Sequence, residues 1–124
     1  MIIIDTDVLI EIFDKESEKG EWALQKLKHA QENIAITSLN LHEILFGHLK
    51  RKKTIKEITS LTTLSFTKKD AELSAKIEND LEKKGRPNTR IDTTIAAIAI
   101  NNNSKLFTFN KKHFQYIKKL FLFE

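Results

Sequence analysis

Two aspartates, Asp5 and Asp7, directly follow a run of three isoleucines near the start of the chain. A carboxylate at the end of an apolar segment loses hydration, which is costly unless a partner compensates the charge. With Asp5, three other oxygen-bearing side chains make a set of four candidate ligands, namely Glu43, Asp92 and Asn110. Carboxylate and amide oxygens are the ligands that Mg²⁺ and Mn²⁺ prefer. The chain has no cysteine, which excludes thiolate metal sites and cysteine nucleophiles.

The elements that must position these residues alternate between strands and helices. Apolar runs and turn signals predict strands at 2–4, 33–38, 64–66, 105–109 and, at an edge, 120–123. Helical periodicity predicts helices at 8–13, 21–30, 39–49, 55–61, 68–84, 92–100 and 110–119. This alternation is typical of βαβ units, and therefore of an α/β protein with a parallel sheet covered by helices on both faces.

The predicted chemistry lies at one edge of that sheet. In open parallel sheets, ligands bind outside the carboxyl ends of the strands. Asp5 follows the first strand, Asn110 follows the strand "KLFTF", and Asp92 begins the helix that leads into it. Glu43 lies on the helix after "NIAITS". A divalent cation held there would offset the cost of burying Asp5, polarise a phosphodiester and lower the pKa of bound water.

Most of these residues also have a purely structural explanation. Asp92 and Asp7 could each N-cap a helix, which is worth about 1 kcal/mol. Glu43 could be an exposed helical glutamate, and Asn110 could be an ordinary cap or turn residue. Asp5 is the hardest to explain without a ligand, because it interrupts an apolar run.

Two other catalytic motifs fail on inspection. The segment "HEILF" at His42 lacks the second histidine of a zinc-protease helix. The segment "DTDV" resembles the nucleophile motif of haloacid-dehalogenase-like phosphatases, which require a later lysine and an acidic pair after another strand. Here the last clear strand is followed by "NKKHF", which contains no acidic pair. We therefore set both interpretations aside.

Charge and length restrict the class of protein and its partners. A length of 124 residues fits one domain, 1–124. The net charge of +4, with basic clusters at 50–53, 83–90 and 111–119, favours an acidic partner such as nucleic acid. The longest apolar run, 95–100, is too short to cross a bilayer. We expect a cytoplasmic protein that does not associate with membranes.

Four blocks of sequence resemble, in this order, the PIN-domain ribonucleases and, within them, the VapC toxins of toxin–antitoxin pairs. The blocks are "IIIDTDVLIEIF", "ITSLNLHEILFG", "DTTIAAIA" and "LFTFNKKHFQYI". The resemblance implies a three-layer α/β/α sandwich with a central, mostly parallel sheet. It also implies an endoribonuclease that depends on Mg²⁺, or on Mn²⁺ in its place, an inhibitory antitoxin partner and a homodimer.

The resemblance also assigns roles to individual residues. Asp5, Glu43 and Asp92 correspond to the acidic metal-binding triad, and Thr6 to a supporting hydroxyl. Asn110 occupies a fourth catalytic position that is often aspartate in relatives. We further expect a basic group to hold the RNA backbone, formed by Lys83, Lys84, Arg86 and Arg90. The alternative function is a catalytically silent PIN-like protein that binds RNA or acts as an adaptor, which the missing fourth carboxylate favours.

Overall fold

The computed structural model describes residues 1–50, 56–86 and 88–124. Its strands are β1 (Ile2–Ile4), β2 (Ile34–Thr37), β3 (Thr62–Leu64), β4 (Lys105–Phe107) and β5 (Phe121–Leu122). They form one sheet in the order β3-β2-β1-β4-β5, and every adjacent pair is parallel. The predicted parallel sheet is therefore confirmed, with β1 at its centre.

Helices cover both faces of the sheet. They are α1 (Thr6–Leu9), α2 (Glu18–Ala30), α3 (Ser38–Lys50), α4 (Lys56–Ser60), α5 (Lys68–Lys83) and α6 (Arg90–Asn101), with a π-helical turn at Ile10–Asp14 and a 3₁₀ turn at Lys111–His113. Buried residues of α1 to α4 form the core on one face, and those of α5 and α6 form the core on the other. The predicted three-layer α/β/α sandwich is confirmed. None of the described helices has the length and apolar character needed to span a membrane.

The isoleucine run becomes the central strand because both of its faces are covered. Ile2 and Ile4 point into the core formed with α1 to α4, whereas Ile3 points into the core formed with α5 and α6. A strand buried on both faces reads as a continuous apolar run rather than as an alternating one. The first polar side chain after it, Asp5, is thereby placed at the carboxyl end of the strand.

A close backbone contact fixes the position of α2 against the π-helical turn. A Cβ atom at Gly20 would lie 2.0 Å from the carbonyl oxygen of Glu11, which is far inside van der Waals contact. Helix α2 therefore packs with its backbone directly against the π-helical turn. Ser17 strengthens this junction, because its hydroxyl caps α2 and also donates a hydrogen bond to Glu11.

The structure contradicts both of the helix caps that were considered from the sequence, at Asp7 and at Asp92. Asp7 does not N-cap a helix at 8–13, because the side chain of Asp5 accepts the Thr6 N–H and α1 begins at Thr6. Asp92 does not N-cap α6, because Thr89 occupies that position. Both caps lie earlier than predicted, which moves Asp7 and Asp92 into the first turns of their helices.

Other boundaries also differ from the sequence-based predictions. Strand β3 ends at Leu64, so the predicted strand at 64–66 lies two residues too late. The predicted helix at 110–119 shortens to one 3₁₀ turn, and Phe114 and Ile117 beyond it are buried in the core. Position 55 of the predicted helix 55–61 and positions 51–53 of the first basic cluster lie outside the described residues.

Candidate active site

A cavity of about 450 Å³ lies beyond the carboxyl ends of β1 and β4. We call it the acidic cavity. Its lining includes all of the predicted catalytic residues, together with the predicted supporting threonine, a further aspartate and a histidine: Asp5, Thr6, Asp7, Glu43, Asp92, Asn110 and His113. The structure therefore brings together side chains that are more than a hundred positions apart in sequence, at the sheet edge where they were expected.

Asp5 is the most tightly held of these side chains. It is only 9% exposed. Its Oδ1 accepts hydrogen bonds from the backbone N–H of Thr6 at 2.8 Å and from Nδ2 of Asn40 at 3.2 Å. Its Oδ2 accepts a hydrogen bond from Oγ1 of Thr108 at 2.8 Å. Three donors from three different segments therefore fix the orientation of this carboxylate.

The electrostatics of the cavity disfavour an isolated anion. Burial, together with the nearby charge of Asp7, raises the pKa of Asp5 from 3.8 to about 6. Burial also raises the pKa of Asp7. The hydrogen bonds to Asp5 and Asp7 lower both pKa values but do not cancel the effect of burial. A bound cation would relieve this cost directly.

Glu43 is positioned by a chain of hydrogen bonds that starts in the core. Buried Asn40 is held by Thr37, whose hydroxyl donates to Asn40 Oδ1 at 2.7 Å. Asn40 Nδ2 donates to Thr6 Oγ1 at 3.0 Å, and Thr6 Oγ1 donates to Glu43 Oε1 at 3.0 Å. The predicted supporting role of Thr6 therefore has a geometric basis, because its hydroxyl lies between Asn40 and Glu43.

In the part of the chain that the structure describes, two carboxylates have a buried oxygen atom without a hydrogen-bond partner. One is Oδ1 of Asp7, whose Oδ2 accepts the N–H of Phe109 at 3.1 Å. The other is Oδ2 of Asp92, which lies 3.2 Å from Nδ1 of His113, within ion-pair distance but without hydrogen-bond geometry. Buried polar atoms normally have partners, and unpartnered ones indicate either strain or a ligand site.

These donors fit a hard divalent cation. All of the candidate ligands supply oxygen, burial raises the pKa of Asp5, and Asp7 and Asp92, which carry the unpartnered oxygens, line the same cavity. Among the described residues, no three histidine or acidic side chains are gathered closely enough to form a complete metal site. The fit therefore rests on the chemistry of the donors rather than on a preformed cage.

The predicted RNA-binding residues lie at the end of α5, on the segment that connects it to α6, and at the first residue of α6. Arg90 makes a bidentate ion pair with Glu78, with N–O distances of 3.1 and 3.0 Å. Lys84 pairs with Asp80 at 3.1 Å. Arg86 stacks 3.9 Å from the ring centre of Tyr116, and Lys83 is exposed. Their role in RNA binding stays a prediction.

Sequence reasoning missed three residues of the site. Thr108 donates to Asp5, Asn40 links Asp5 to Thr6, and His113 lies against Asp92. Thr108 gave a usable signal, because it interrupts the apolar strand "KLFTF" as Asp5 interrupts the first strand. Asn40 and His113 gave none, because their contacts depend on how the helices pack.

Comparisons with known proteins agree with this geometry. The PIN domain family matches residues 2–120. The structure of VapBC2 from Rickettsia felis, bound to a promoter DNA fragment, contains a chain that is 29% identical, with a TM-score of 0.80 and coverage of 99% of this chain and 98% of that one. No curated protein matches the sequence.

Two more distant structures show the same fold. In VapBC-1 from nontypeable Haemophilus influenzae, the similar chain is 23% identical, with a TM-score of 0.83 and coverage of 100% and 98%. In VapBC-5 from Mycobacterium tuberculosis, it is 19% identical, with a TM-score of 0.70 and coverage of 98% and 96%. The resemblance found in the sequence is confirmed, and the chain belongs to the PIN-domain family.

Proposed function

We propose that this chain is the toxin of a toxin–antitoxin pair and an endoribonuclease that depends on Mg²⁺, with Mn²⁺ as a possible substitute. The observation that carries the proposal is the acidic cavity, which is lined by all three predicted ligands. Two of its lining aspartates, Asp7 and Asp92, each have a buried oxygen without a hydrogen-bond partner among the described residues. Membership of the family supports it, since PIN domains of VapC toxins are typically nucleases and such nucleases generally use divalent cations.

The residues of the acidic cavity would have different roles toward the cation. Asp5 and Asp92 would hold the cation, and Glu43 would bind it directly or through a water. When bound, such a cation stabilises the negative charge that develops on the phosphate and lowers the pKa of water. Asn110 can order a water through its amide oxygen, but it brings no negative charge to the site.

Glu43 is suited to accept the proton of the attacking water. Its Oε1 accepts the hydrogen bond from Thr6, which leaves Oε2 available to take up that proton. The water oxygen forms a bond to phosphorus, the ester P–O bond breaks, and the leaving oxygen takes up a proton. Thr6 and Asn40 act as positioning residues in this scheme, because they orient Glu43 without touching the substrate.

The proposed partner is a small cognate antitoxin. The similar solved structures are VapBC and related toxin–antitoxin complexes. An arginine or lysine of the antitoxin that reaches the acidic cavity would neutralise its carboxylates and exclude the cation. Growth inhibition on expression of the isolated chain, relieved by the partner, would support this assignment. Normal growth during strong soluble expression would contradict it.

We also propose that the chain forms a homodimer. Three apolar side chains of the π-helical turn and α3, those of Ile12, Phe13 and Leu45, pack partly buried against the chain's own core. Phe46 is 57% exposed, and Leu49, one turn of α3 beyond Leu45, is 72% exposed. These two side chains are the better candidates for the dimer contact. Sedimentation that shows only monomer at micromolar concentrations would contradict it.

The decisive experiment measures RNA cleavage by the purified chain. We expect cleavage when Mg²⁺ or Mn²⁺ is added, none with a chelator, and at least about a hundredfold less cleavage with Asp92→Asn. The silent alternative, which Asn110 favours, predicts RNA binding without cleavage at every cation concentration. Equal cleavage by Asp92→Asn, in a preparation free of other nucleases, would contradict the proposed mechanism.

A further inference from the structure

A second cavity of about 450 Å³ lies beside the acidic cavity and differs from it in chemistry. We call it the aromatic–lysine cavity, and its main lining residues are Lys19, Trp22, Lys26, Phe109, Lys111 and Phe123. The proposed reaction uses none of these side chains. Their combination of exposed ring and positive charge nevertheless requires an explanation, because large aromatic side chains usually face the core.

Trp22 is the central feature of this cavity and is 53% exposed. Helix α2 buries its opposite side through Gly20, Ala23 and Leu27. The tryptophan ring instead lies 6.4 Å from Phe107 and 6.5 Å from Phe109, measured between ring centroids. Its neighbours therefore hold one side of the indole in place, while about half of the residue remains available to a ligand.

The lysines around the rings give the cavity an excess of positive charge. Lys19 Nζ lies 4.1 Å from the ring centre of Phe109, and Lys26 Nζ lies 4.8 Å from that of Trp22. Glu124 opposes this charge, since it pairs with Lys111 at 3.2 Å and its carbonyl accepts a hydrogen bond from Lys26. The lining therefore includes three lysines and one side-chain carboxylate, a combination that suits a ligand carrying both planar rings and negative charge.

The two cavities share a wall that is one segment of chain thick. Thr108 lines the aromatic–lysine cavity, yet its hydroxyl donates to Asp5 in the acidic cavity. Phe109 presents its ring to the aromatic–lysine cavity, while its N–H donates to Asp7. A nucleic-acid strand with a phosphodiester in the acidic cavity therefore has only the segment of Thr108 and Phe109 to cross before it reaches Trp22.

We propose that the aromatic–lysine cavity binds a single-stranded RNA segment next to the cleaved phosphodiester, with a base stacked on Trp22 and phosphates contacted by Lys19 and Lys26. The identity of the ligand rests on the proposed ribonuclease function. The acidic cavity repels a polyanion, so the affinity for RNA must come from groups outside it. Stacking on an aromatic ring beside lysines supplies that affinity with little preference for sequence.

Trp22 is the only tryptophan of the chain, so its fluorescence reports on this cavity alone. The chain is titrated with a single-stranded RNA oligonucleotide in the presence of a chelator, so that the result does not depend on cleavage. We expect the fluorescence to be quenched by the single strand and to be little affected by the same RNA annealed to its complement. No quenching, or equal quenching by the duplex, would overturn the proposal.

Variants then identify the groups responsible, with labelled RNA used to measure affinity. Trp22→Ala should weaken binding about fivefold or more, because stacking is lost. Lys19→Gln combined with Lys26→Gln should reduce the slope of log affinity against log salt by about 1.4. Lys28→Gln is the matched control, an exposed lysine of α2 outside the cavity, and should change neither quantity. Glu124→Gln should tighten binding, since it removes the opposing carboxylate.

Equal losses in the Lys28 control would attribute the effect to overall charge and overturn the proposal. A fluorescence change with an acidic peptide or with the antitoxin, but none with RNA, would make the cavity a protein-docking surface and also overturn it. Circular dichroism confirms that each variant is folded. If RNA binds at Trp22 but the chain cleaves no RNA with any cation, the proposed function fails while the binding site stands.

Discussion

The N-termini of α5 and α6 begin with the same sequence pattern and serve different purposes. Each has a threonine N-cap followed three residues later by an aspartate, Thr67 with Asp70 and Thr89 with Asp92. In both helices, the threonine hydroxyl accepts the backbone N–H of the aspartate at 3.2 Å. Local sequence therefore specifies the same helix start twice, and the difference lies in the aspartate side chains.

Asp70 is buried, and both of its carboxylate oxygens are satisfied. Its Oδ2 accepts the Thr67 N–H at 2.9 Å, which completes a capping box, and its Oδ1 accepts Nδ2 of Asn101 at 2.7 Å. Asp92 instead turns toward the acidic cavity, where its Oδ2 lacks a hydrogen-bond partner among the described residues. A buried carboxylate with all of its partners stabilises the fold, whereas one without them is available to a ligand.

The largest expected effect follows from exchanging each aspartate for asparagine. Asp92→Asn should reduce RNA cleavage by at least about a hundredfold, because it removes a charged ligand from the cation site. Asp70→Asn makes the same chemical change at the equivalent helix position and should retain cleavage while it remains folded. Initial cleavage rates at saturating Mg²⁺ measure both. Similar losses in the two variants would show that Asp92 acts through the helix start alone.

The second largest expected effect is on the free energy of unfolding in the absence of a divalent cation. Folding raises the pKa of Asp5 from 3.8 to about 6, so the folded state holds a proton that the unfolded chain has already lost. Asp5 therefore contributes to the stability of the folded state below about pH 4, and this contribution is lost as the pH rises toward about 6. Asp5→Asn removes the charge and should make the protein more stable than the parent at neutral pH, by up to about 3 kcal/mol.

Urea unfolding in the presence of a chelator, at acidic and at neutral pH, measures this difference. Asp7 should leave a smaller slope of the same sign in the variant, because burial also raises the pKa of Asp7. Adding Mg²⁺ should stabilise the parent and have little effect on Asp5→Asn. A variant that is less stable than the parent at neutral pH would mean that the hydrogen bonds to the Asp5 carboxylate stabilise the folded state by more than the burial of its charge destabilises it.

Loss of the Asp70 carboxylate should destabilise the protein, in contrast to loss of the charge of Asp5. Asp70→Ala removes one side of the capping box and the bond to Asn101, and should lower the free energy of unfolding by about 2 kcal/mol. The cation should not alter this loss, since Asp70 lies outside the acidic cavity. Thermal unfolding with and without Mg²⁺ tests the prediction. A loss that depends on the cation would couple this helix start to the site.

The sequence was sufficient to predict what local pattern and strand order determine. The run Ile2–Ile4 predicted a buried strand, and the alternation of elements predicted the parallel sheet. The position of Asp5 at the end of β1 followed from the same reasoning, because a chemical group that follows a central strand must lie at the sheet edge.

What the sequence could not supply are contacts between distant segments. The same threonine–aspartate spacing gives a closed capping box at Asp70 and an open one at Asp92. Their distant neighbours also differ, because Asn101 donates to Asp70 whereas His113 lies against Asp92. The predicted cap at Asp7 failed for a similar reason. Its side chain turns to the N–H of Phe109, more than a hundred positions away, and Asp5 caps the helix instead.

The smallest expected effect concerns a residue that positions the site without binding the ligand. The hydroxyl of Thr6 accepts a hydrogen bond from Asn40 and donates one to Glu43. The fixed position of the buried asparagine therefore helps to fix the exposed carboxylate. Thr6→Ala should reduce cleavage about tenfold, as losses of such supporting hydrogen bonds do. Thr6→Ser keeps the hydroxyl and should restore most of the rate. Because the Thr6 backbone N–H still binds Asp5 in both variants, Mg²⁺ should stabilise them as it does the parent. If Thr6→Ser and Thr6→Ala lose activity equally, the methyl group rather than the hydrogen bond to Glu43 is what the site requires.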